Sequence, residues 1–192
     1  SAFKRCQSEA QAAFGRGDVY VEEFIPRARH IEVQILGDGT GAVAHLGERE
    51  CSVQRRFQKI IEESPAPGLA ADVLARMTQA AVALAASQRY SGAGTVEFIV
   101  DADSGEFFFL EMNTRIQVEH GVTEAVTGWD LVQAQIRLAA GTLERMAQAD
   151  IHRQGASIEC RLYAENPVRH FMPSPGKLAT FALPTMPALR VD

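Results

Sequence analysis

Alternation of polar and apolar residues predicts the main strands of the chain. It is strictest over residues 111–119, where polar side chains occupy the odd positions and mostly apolar ones the even positions. Side chains of an extended strand point alternately to opposite faces, so one face would carry two carboxylates, two amides and a guanidinium. An ordinary solvated strand face is the alternative. The crowding of these groups favours a face that holds a metal and an anion together.

A second alternating segment predicts a hairpin that ends in this strand. Residues 95–100 are β-branched and aromatic, residues 101–105 have a turn composition, and residues 106–111 return as a strand. Closing the loop would pair Val100 with Glu106, the residues on either side of it. Glu97 and Glu111 would then lie on the same face as diagonal neighbours, within about 8 Å.

Two carboxylates at that separation disfavour each other's ionisation unless a cation lies between them. Mg²⁺ prefers oxygen ligands and commonly binds one or two carboxylates together with substrate phosphates. Asn113, two residues further along the same face, would add an amide oxygen. The pattern therefore predicts a magnesium site at Glu97, Glu111 and Asn113, and the alternative is two hydrated carboxylates.

The remaining patterns predict an α+β fold in which helices pack on an antiparallel sheet. Helices are expected at residues 1–14, 70–89 and 123–140, the last with a kink at Gly128. Strands are expected at residues 19–21, 30–36, 42–47 and 156–164.

Composition narrows the class of protein. The chain has 192 residues and a net charge of −5, from 19 Lys and Arg against 24 Asp and Glu. This length suits one domain, with or without a flap, and the acidic balance argues against nucleic-acid binding. Basic residues nevertheless cluster at residues 27–30 and 55–59, which suits a small anionic ligand such as a nucleotide or bicarbonate.

The cysteines indicate a reducing compartment, and the hydropathy pattern indicates a protein without a membrane span. Cys6, Cys51 and Cys160 are odd in number and widely spaced, so they predict neither a disulfide framework nor a zinc site. Cys51 is expected to be a buried small residue rather than a nucleophile. The chain shows no apolar run of 18 residues and no signal-peptide pattern, so we expect a cytoplasmic protein without a membrane partner.

Four blocks of the sequence resemble one family, the biotin carboxylase component of biotin-dependent carboxylases, which has the ATP-grasp fold. The blocks are residues 29–34, 48–63, 111–120 and 159–177. The resemblance covers nearly the whole chain, but the family enzyme is considerably longer. It implies a central fragment in which residues 1–20 end the lid subdomain. Residues 21–192 would form the catalytic half of the ATP-grasp fold and the start of the C-terminal region.

The resemblance implies a nucleotide site with Mg²⁺ or Mn²⁺. The backbone of residues 22–25 would meet the adenine, His30 and Gln54 would contact ribose and phosphate, and Asn113 would assist the metal ligands. The implied ATP-binding residues are Glu22, Glu23, Phe24, Ile25, His30, Gln54, Glu97 and Glu111.

The resemblance also implies the chemistry of carboxylation. Bicarbonate would attack the γ-phosphate of ATP, and carboxyphosphate would release CO₂ to the ureido nitrogen of biotin. Glu119 would be the base and Arg161 would stabilise the biotin enolate, so that Lys59, Arg115, Glu119 and Arg161 are the implied catalytic residues. The implied bicarbonate site consists of Lys59, Arg115, Gln117 and Val118.

The implied partners are bicarbonate, a biotin carboxyl carrier domain and a carboxyltransferase component, in a parent expected to be a homo-oligomer. The final acceptor stays open among acyl-CoA, pyruvate and urea. Two residues depart from the family pattern, because Phe57 replaces a His that touches the nucleotide and Glu23 replaces a common Lys. One alternative is a catalytically incomplete fragment that lacks the lid and its lysines. The other is a related ATP-grasp ligase such as carbamoyl-phosphate synthetase.

Overall fold

The sheet of this protein runs in the order β5-β4-β1-β2-β3-β6 in a computed structural model that describes residues 1–144 and 146–192. These strands are β1 (Ala28–Asp38), β2 (Val43–Arg55), β3 (Gln58–Ser64), β4 (Ser91–Asp101), β5 (Phe107–Asn113) and β6 (Ser157–Cys160). The helices are α1 (Ala2–Phe14), α2 (Ala71–Ser87), α3 (His120–Thr127) and α4 (Leu131–Ala139). The pairings of β1 with β2 and β4, of β2 with β3, and of β4 with β5 are antiparallel. The predicted fold class, an antiparallel sheet flanked by helices, is confirmed.

The chain divides into two compact units, Ser1–Glu159 and Cys160–Asp192. Within the second unit, β7 (Glu165–Asn166) pairs with β8 (Met172–Pro173). Short 3₁₀ turns occur at Gln148–Asp150 in the first unit and at Pro167–Arg169 in the second. Among the described residues, no helix is both long enough and apolar enough to cross a membrane.

Strand β1 separates the apolar core from a polar face. Its odd residues Ile31, Val33 and Ile35 are buried in a core cluster with α2 residues such as Met77 and Ala81. Its even residues point the other way, because neighbouring side chains of a strand alternate between faces. The sheet therefore rests on α2 through one face and presents His30, Glu32 and Gln34 on the other.

The β4–β5 hairpin closes differently from the prediction. Val100 pairs with Phe107 instead of Glu106, because Glu106 belongs to the turn and its carbonyl accepts a hydrogen bond from Asp101 N at 2.8 Å. A bulge then shifts the register next to Glu97, which pairs directly with Glu111. The two carboxylates share one face as predicted, but they are opposite each other rather than diagonal.

The predicted strand over residues 111–119 is wrong beyond Asn113, where β5 ends. Residues 114–119 form neither helix nor strand and lead into α3, which begins at His120. Their alternation has another cause, because Gln117 turns inward to Arg49 and Glu119 to Lys59, while Val118 between them faces solvent. Arg115 and Glu119 therefore do not share a strand face.

Other boundaries also differ. Residues 19–21 were expected to form a strand, but they lie in a segment without helix or strand, so that prediction is wrong. β2 continues to Arg55, well beyond the expected end at residue 47, and the charged block that follows forms β3. The kink expected at Gly128 is a full break between α3 and α4, since Gly128 has a left-handed backbone with φ of 72°. Asp130 caps α4 by accepting a hydrogen bond from Gln133 N.

Candidate active site

Lys59 of β3 joins three carboxylates, two from other strands of the sheet and one from the segment before α3. Its Nζ lies 2.6 Å from Glu32 of β1, 2.7 Å from Glu119 before α3 and 3.3 Å from Glu97 of β4. All three glutamates are buried. Burial by itself lowers the pKa of Lys59, but the carboxylates of Glu32 and Glu119 raise it well above its usual range, so the ammonium stays charged.

Glu97 is the most heavily hydrogen-bonded carboxylate of this group. Its Oε2 lies 2.5 Å from His30 Nε2, and its Oε1 accepts from Asn113 Nδ2 at 2.8 Å, from Gln117 Nε2 at 2.7 Å and from Lys59. Burial alone raises the pKa of Glu97, but the hydrogen bond from His30 and the charge of Lys59 lower it to about 2. Glu97 is therefore an anion throughout the neutral range.

The Asn113 amide marks the point that a cation would occupy. Its Nδ2 lies 2.8 Å from Glu97 Oε1 and 3.1 Å from Glu111 Oε1, so a single position is within reach of both carboxylates. If the amide turned over, its oxygen would join the two carboxylates in a set of hard oxygen ligands, which is the set that Mg²⁺ prefers. The residues present therefore fit the predicted metal. Ligand atoms of His30, Glu32 and Glu97 also lie within 4.8 Å of one another.

His30 connects Glu97, a predicted metal ligand, to a second predicted nucleotide residue. Its Nδ1 lies 2.7 Å from Gln54 Nε2, and that amide nitrogen also donates to the Cys51 carbonyl at 2.8 Å. Because the Gln54 nitrogen is a donor, Nδ1 must accept, and the ring proton lies on Nε2 and is donated to Glu97. The structure thus brings His30, Gln54 and Glu97 into one chain of hydrogen bonds.

Glu119, the predicted base, is buried next to Lys59. Burial by itself raises the pKa of Glu119, but the charge and hydrogen bond of Lys59 lower it below its usual range. Its carboxylate is therefore ionised and able to accept a proton. Cys51 is buried as expected, and burial raises the pKa of its thiol far above the usual range, with a further contribution from Glu32. A protonated thiol is a poor nucleophile, which agrees with the structural role expected of Cys51.

Sequence reasoning missed two members of the cluster, Glu32 and Arg49. Glu32 is fully buried and holds both Lys59 and Arg49. The signal was present, because the alternation over residues 30–36 places Glu32 on the same face as His30. Arg49 had no such signal, since its partners lie on elements far apart in sequence.

The other predicted residues are not drawn into this cluster. Arg115 is exposed and its side chain donates to the neighbouring Ile116 carbonyl at 3.2 Å, and Val118 is 63% exposed. Residues 22–25 lie in a segment without regular structure, and Phe57 is 99% exposed at the β2–β3 turn. Arg161 is half-buried in the second unit. The roles expected for these residues stay predictions.

The antiparallel sheet with its flanking helices has the ATP-grasp fold, which this chain shares with solved biotin carboxylase structures. The chain belongs to the family described as "Carbamoyl-phosphate synthase L chain, ATP binding domain", whose model matches residues 1–146.

Its similarity to curated biotin carboxylases extends over nearly the whole chain. It is 53% identical to biotin carboxylase from Nostoc sp. and 50% identical to biotin carboxylase 1 from Bacillus subtilis, over 99% and 100% of its length. It spans only 42% and 43% of those proteins. Over its full length the chain is also 49% identical to pyruvate carboxylase 1 from Caenorhabditis elegans, and it spans 16% of that protein.

Two solved structures superpose closely. One is biotin carboxylase from Campylobacter jejuni in a β,γ-ATP complex, with a TM-score of 0.88 and 47% identity. The other is the biotin carboxylase domain dimer of the Hydrogenobacter thermophilus 2-oxoglutarate carboxylase with MgADP, ADP and bicarbonate, with the same TM-score and identity. Each match covers 96% of this chain and 41% of the other chain.

Proposed function

We propose that this chain is the ATP-grasp part of a biotin carboxylase, which uses ATP and bicarbonate to carboxylate biotin on a carrier domain. The observation that carries the proposal is the position of Lys59. A single ammonium lies between a buried ionised glutamate, Glu119, and the carboxylate of the metal site, Glu97. On this proposal Lys59 binds the anion and Glu119 acts as the base beside the metal of the nucleotide, which is the combination that bicarbonate phosphorylation needs.

Glu119 is the base of the proposed reaction. Bicarbonate binds to the Lys59 ammonium and passes its proton to the Glu119 carboxylate, and its oxygen then attacks the γ-phosphate with ADP as leaving group. The resulting carboxyphosphate breaks down to CO₂ and phosphate, the phosphate takes the proton of a ureido N–H group of biotin, and that nitrogen then captures the CO₂. When bicarbonate takes over the contact with Lys59, Glu119 loses part of the charge that lowers its pKa and becomes a stronger base.

The metal site belongs to the same proposal. Glu97 and Glu111 would hold Mg²⁺ or Mn²⁺ with the assistance of Asn113, and the cation would supply neutralisation of the ATP phosphates. His30 and Gln54 contact the nucleotide at the end of the hydrogen-bond chain that begins at Glu97.

Residues outside the Lys59 cluster and the metal site complete the substrate sites. The backbone of residues 22–25 binds the adenine, while Arg115, Gln117 and Val118 join Lys59 around bicarbonate. A guanidinium suits a bidentate contact with an oxyanion. Arg161 stabilises the biotin enolate, and the lid subdomain ends near residue 20. The proposed partners are the biotin carboxyl carrier domain, a carboxyltransferase component and further copies of the parent.

Incompleteness of this chain is part of the proposal, because it spans about two fifths of the curated biotin carboxylases that it matches. We infer that the isolated chain does not turn over. The intact carboxylase that contains it is therefore the species to assay.

Glu119→Gln in the intact carboxylase tests the base directly. The amide keeps an oxygen for Lys59 but cannot take a proton, so bicarbonate-dependent ATP cleavage should fall by about 100-fold or more. Glu106→Gln, an exposed change on the turn of the β4–β5 hairpin, is the matched control and should leave the rate unchanged. A Glu119→Gln enzyme that keeps its rate would remove the base from the proposal.

A further inference from the structure

Arg49 of β2 is fully buried, yet all of its N–H groups have partners. A guanidinium carries five N–H donors, and none of them can reach water in a site with no exposed surface. The five acceptors are Glu32 Oε1 at 2.5 Å, Gln34 Oε1 at 2.7 Å, Thr123 Oγ1 at 2.9 Å, Thr95 Oγ1 at 3.2 Å and Gln117 Oε1 at 3.2 Å. Arg49 therefore links β1, β4, the segment before α3 and α3 itself at one point.

The first of these contacts continues to Lys59. Glu32 lies directly opposite Arg49 in the β1–β2 ladder, and its side chain is fully buried. One carboxylate oxygen accepts from Arg49 Nε and the other accepts from Lys59 Nζ at 2.6 Å. Because Arg49 holds one oxygen, it fixes the direction in which the other oxygen points, and with it the position of the Lys59 ammonium.

A second contact continues to the metal carboxylate. The Gln117 amide oxygen accepts from Arg49, so its nitrogen must face the other way, and it donates to Glu97 Oε1 at 2.7 Å. This contact also anchors residues 114–119, which have no helix or strand of their own to hold them. Glu119 is the last residue of that segment.

We propose that Arg49 is a positioning residue of the carboxylation site, which sets Lys59 through Glu32 and Glu97 through Gln117. Arg49 touches neither the proposed base nor the proposed metal in this network. Its effect is geometric, because two buried side chains with both ends engaged leave Lys59 and Glu97 a single arrangement. The inference rests on the proposed function and adds a residue to it.

Arg49→Lys and Glu32→Gln in the intact carboxylase test the two links. Lysine keeps the charge of Arg49 but has only three donors on one atom, so it cannot hold Glu32 and Gln117 together. Glutamine keeps an oxygen for Arg49 and turns an amide nitrogen towards Lys59. Each change should lower the kcat of bicarbonate-dependent ATP cleavage about 10- to 100-fold, as expected for a group that orients a catalytic residue. The KM for ATP should change much less.

Arg153→Lys is the matched control, because Arg153 pairs with Glu48, another buried glutamate one residue from Arg49 on β2. It should lower the stability of the enzyme without lowering kcat. The double variant R49K/E32Q should be no slower than the slower single variant, since both changes interrupt the same path from Arg49 through Glu32 to Lys59. Rate losses that multiply would contradict a shared path.

These measurements distinguish a failure of the proposed function from a failure of the positioning role of Arg49. A wild-type enzyme without bicarbonate-dependent ATP cleavage would overturn the proposed function itself. An active wild type whose R49K variant loses stability as R153K does, but keeps kcat within about twofold, would overturn the positioning role alone. If R49K does not fold, E32Q decides, and an unchanged kcat in that folded variant overturns the proposal.

Discussion

Two regions of the site differ sharply in how the chain itself organises them. The inner cluster is formed by Glu32, Arg49, Lys59, Glu97 and Glu119. Lys59 is half-buried and the other four are buried, and each side chain has charged partners at hydrogen-bond distance. The outer rim, formed by residues 22–25, Phe57, Arg115 and Val118, is mostly exposed.

The difference follows from the electrostatics of burial. A buried charge without a partner costs several kcal/mol, so the inner cluster must satisfy its charges within the fold. Exposed groups are satisfied by water and need no fixed geometry. The side chains of the inner cluster are therefore held in place by the fold itself, whereas the fold does not fix the geometry of the rim side chains. Substitutions in the two regions should differ accordingly.

The largest effect on stability is expected from Lys59→Met in this chain. The change leaves three buried carboxylates without their shared cation, which should lower the free energy of unfolding by about 3–5 kcal/mol. Urea denaturation measures it, with Lys4→Met on the exposed face of α1 as a control that should stay within about 0.5 kcal/mol. A loss below about 1 kcal/mol for Lys59→Met would mean that the carboxylates do not depend on its charge.

The acid stability of the chain should depend on Glu97. Its pKa is lowered from 4.5 to about 2 in the folded protein, so its ionisation stabilises the fold above the higher value, and this contribution disappears as the pH falls towards 2. The full contribution is roughly 3 kcal/mol. Urea denaturation at a series of pH values between 6 and about 2 should show a steeper loss in wild type than in Glu97→Gln. Parallel curves would contradict the lowered pKa.

A smaller and more selective effect separates the two predicted metal carboxylates. Glu97→Gln should lower both the affinity for Mg²⁺-ATP and the stability, the latter by about 1.5–3 kcal/mol, because four donors lose an anionic acceptor. Glu111→Gln should lower only the affinity, since Glu111 is exposed and has a single partner in Asn113 among the described contacts. Calorimetric titration with ATP, with and without Mg²⁺, measures the first effect and urea denaturation the second. Unchanged affinity in Glu111→Gln would remove Glu111 from the metal site.

The sequence predicted this site where the pattern was local. The alternation of β1 and of the hairpin placed Glu97 and Glu111 on one face, and the apolar spacing of α2 predicted the helix beneath the sheet. The direct pairing of the two carboxylates was not predictable, because it depends on a bulge beside Phe98. The Phe98 ring packs edge-on against Phe107 and Phe109, at 5.5 and 6.5 Å between centroids. The alternation of polar and apolar residues along a strand does not reveal such aromatic packing.

The error over residues 114–119 has a more general cause. A period of two also arises in a loop when alternate side chains turn inward, and here Gln117 and Glu119 do so to reach Arg49 and Lys59. These partners lie more than fifty residues away in sequence, so no local pattern contains them. The inner cluster brings together residues from four strands and the segment before α3, so it could be predicted only in part.

The smallest expected effect concerns the rim. Phe57 lies at a two-residue turn with φ of 64° and is almost fully exposed, so its replacement should change the free energy of unfolding by less than about 0.5 kcal/mol. Phe57→His supplies a hydrogen-bonding ring where Phe57 has none, and one new hydrogen bond to nucleotide should strengthen ATP binding about 2- to 10-fold. Phe57→Leu, which changes the ring without adding a polar group, is the matched control, and both variants are titrated with Mg²⁺-ATP. Equal affinity in the two variants would show that this turn does not reach the nucleotide, and the rim would then begin closer to Gln54.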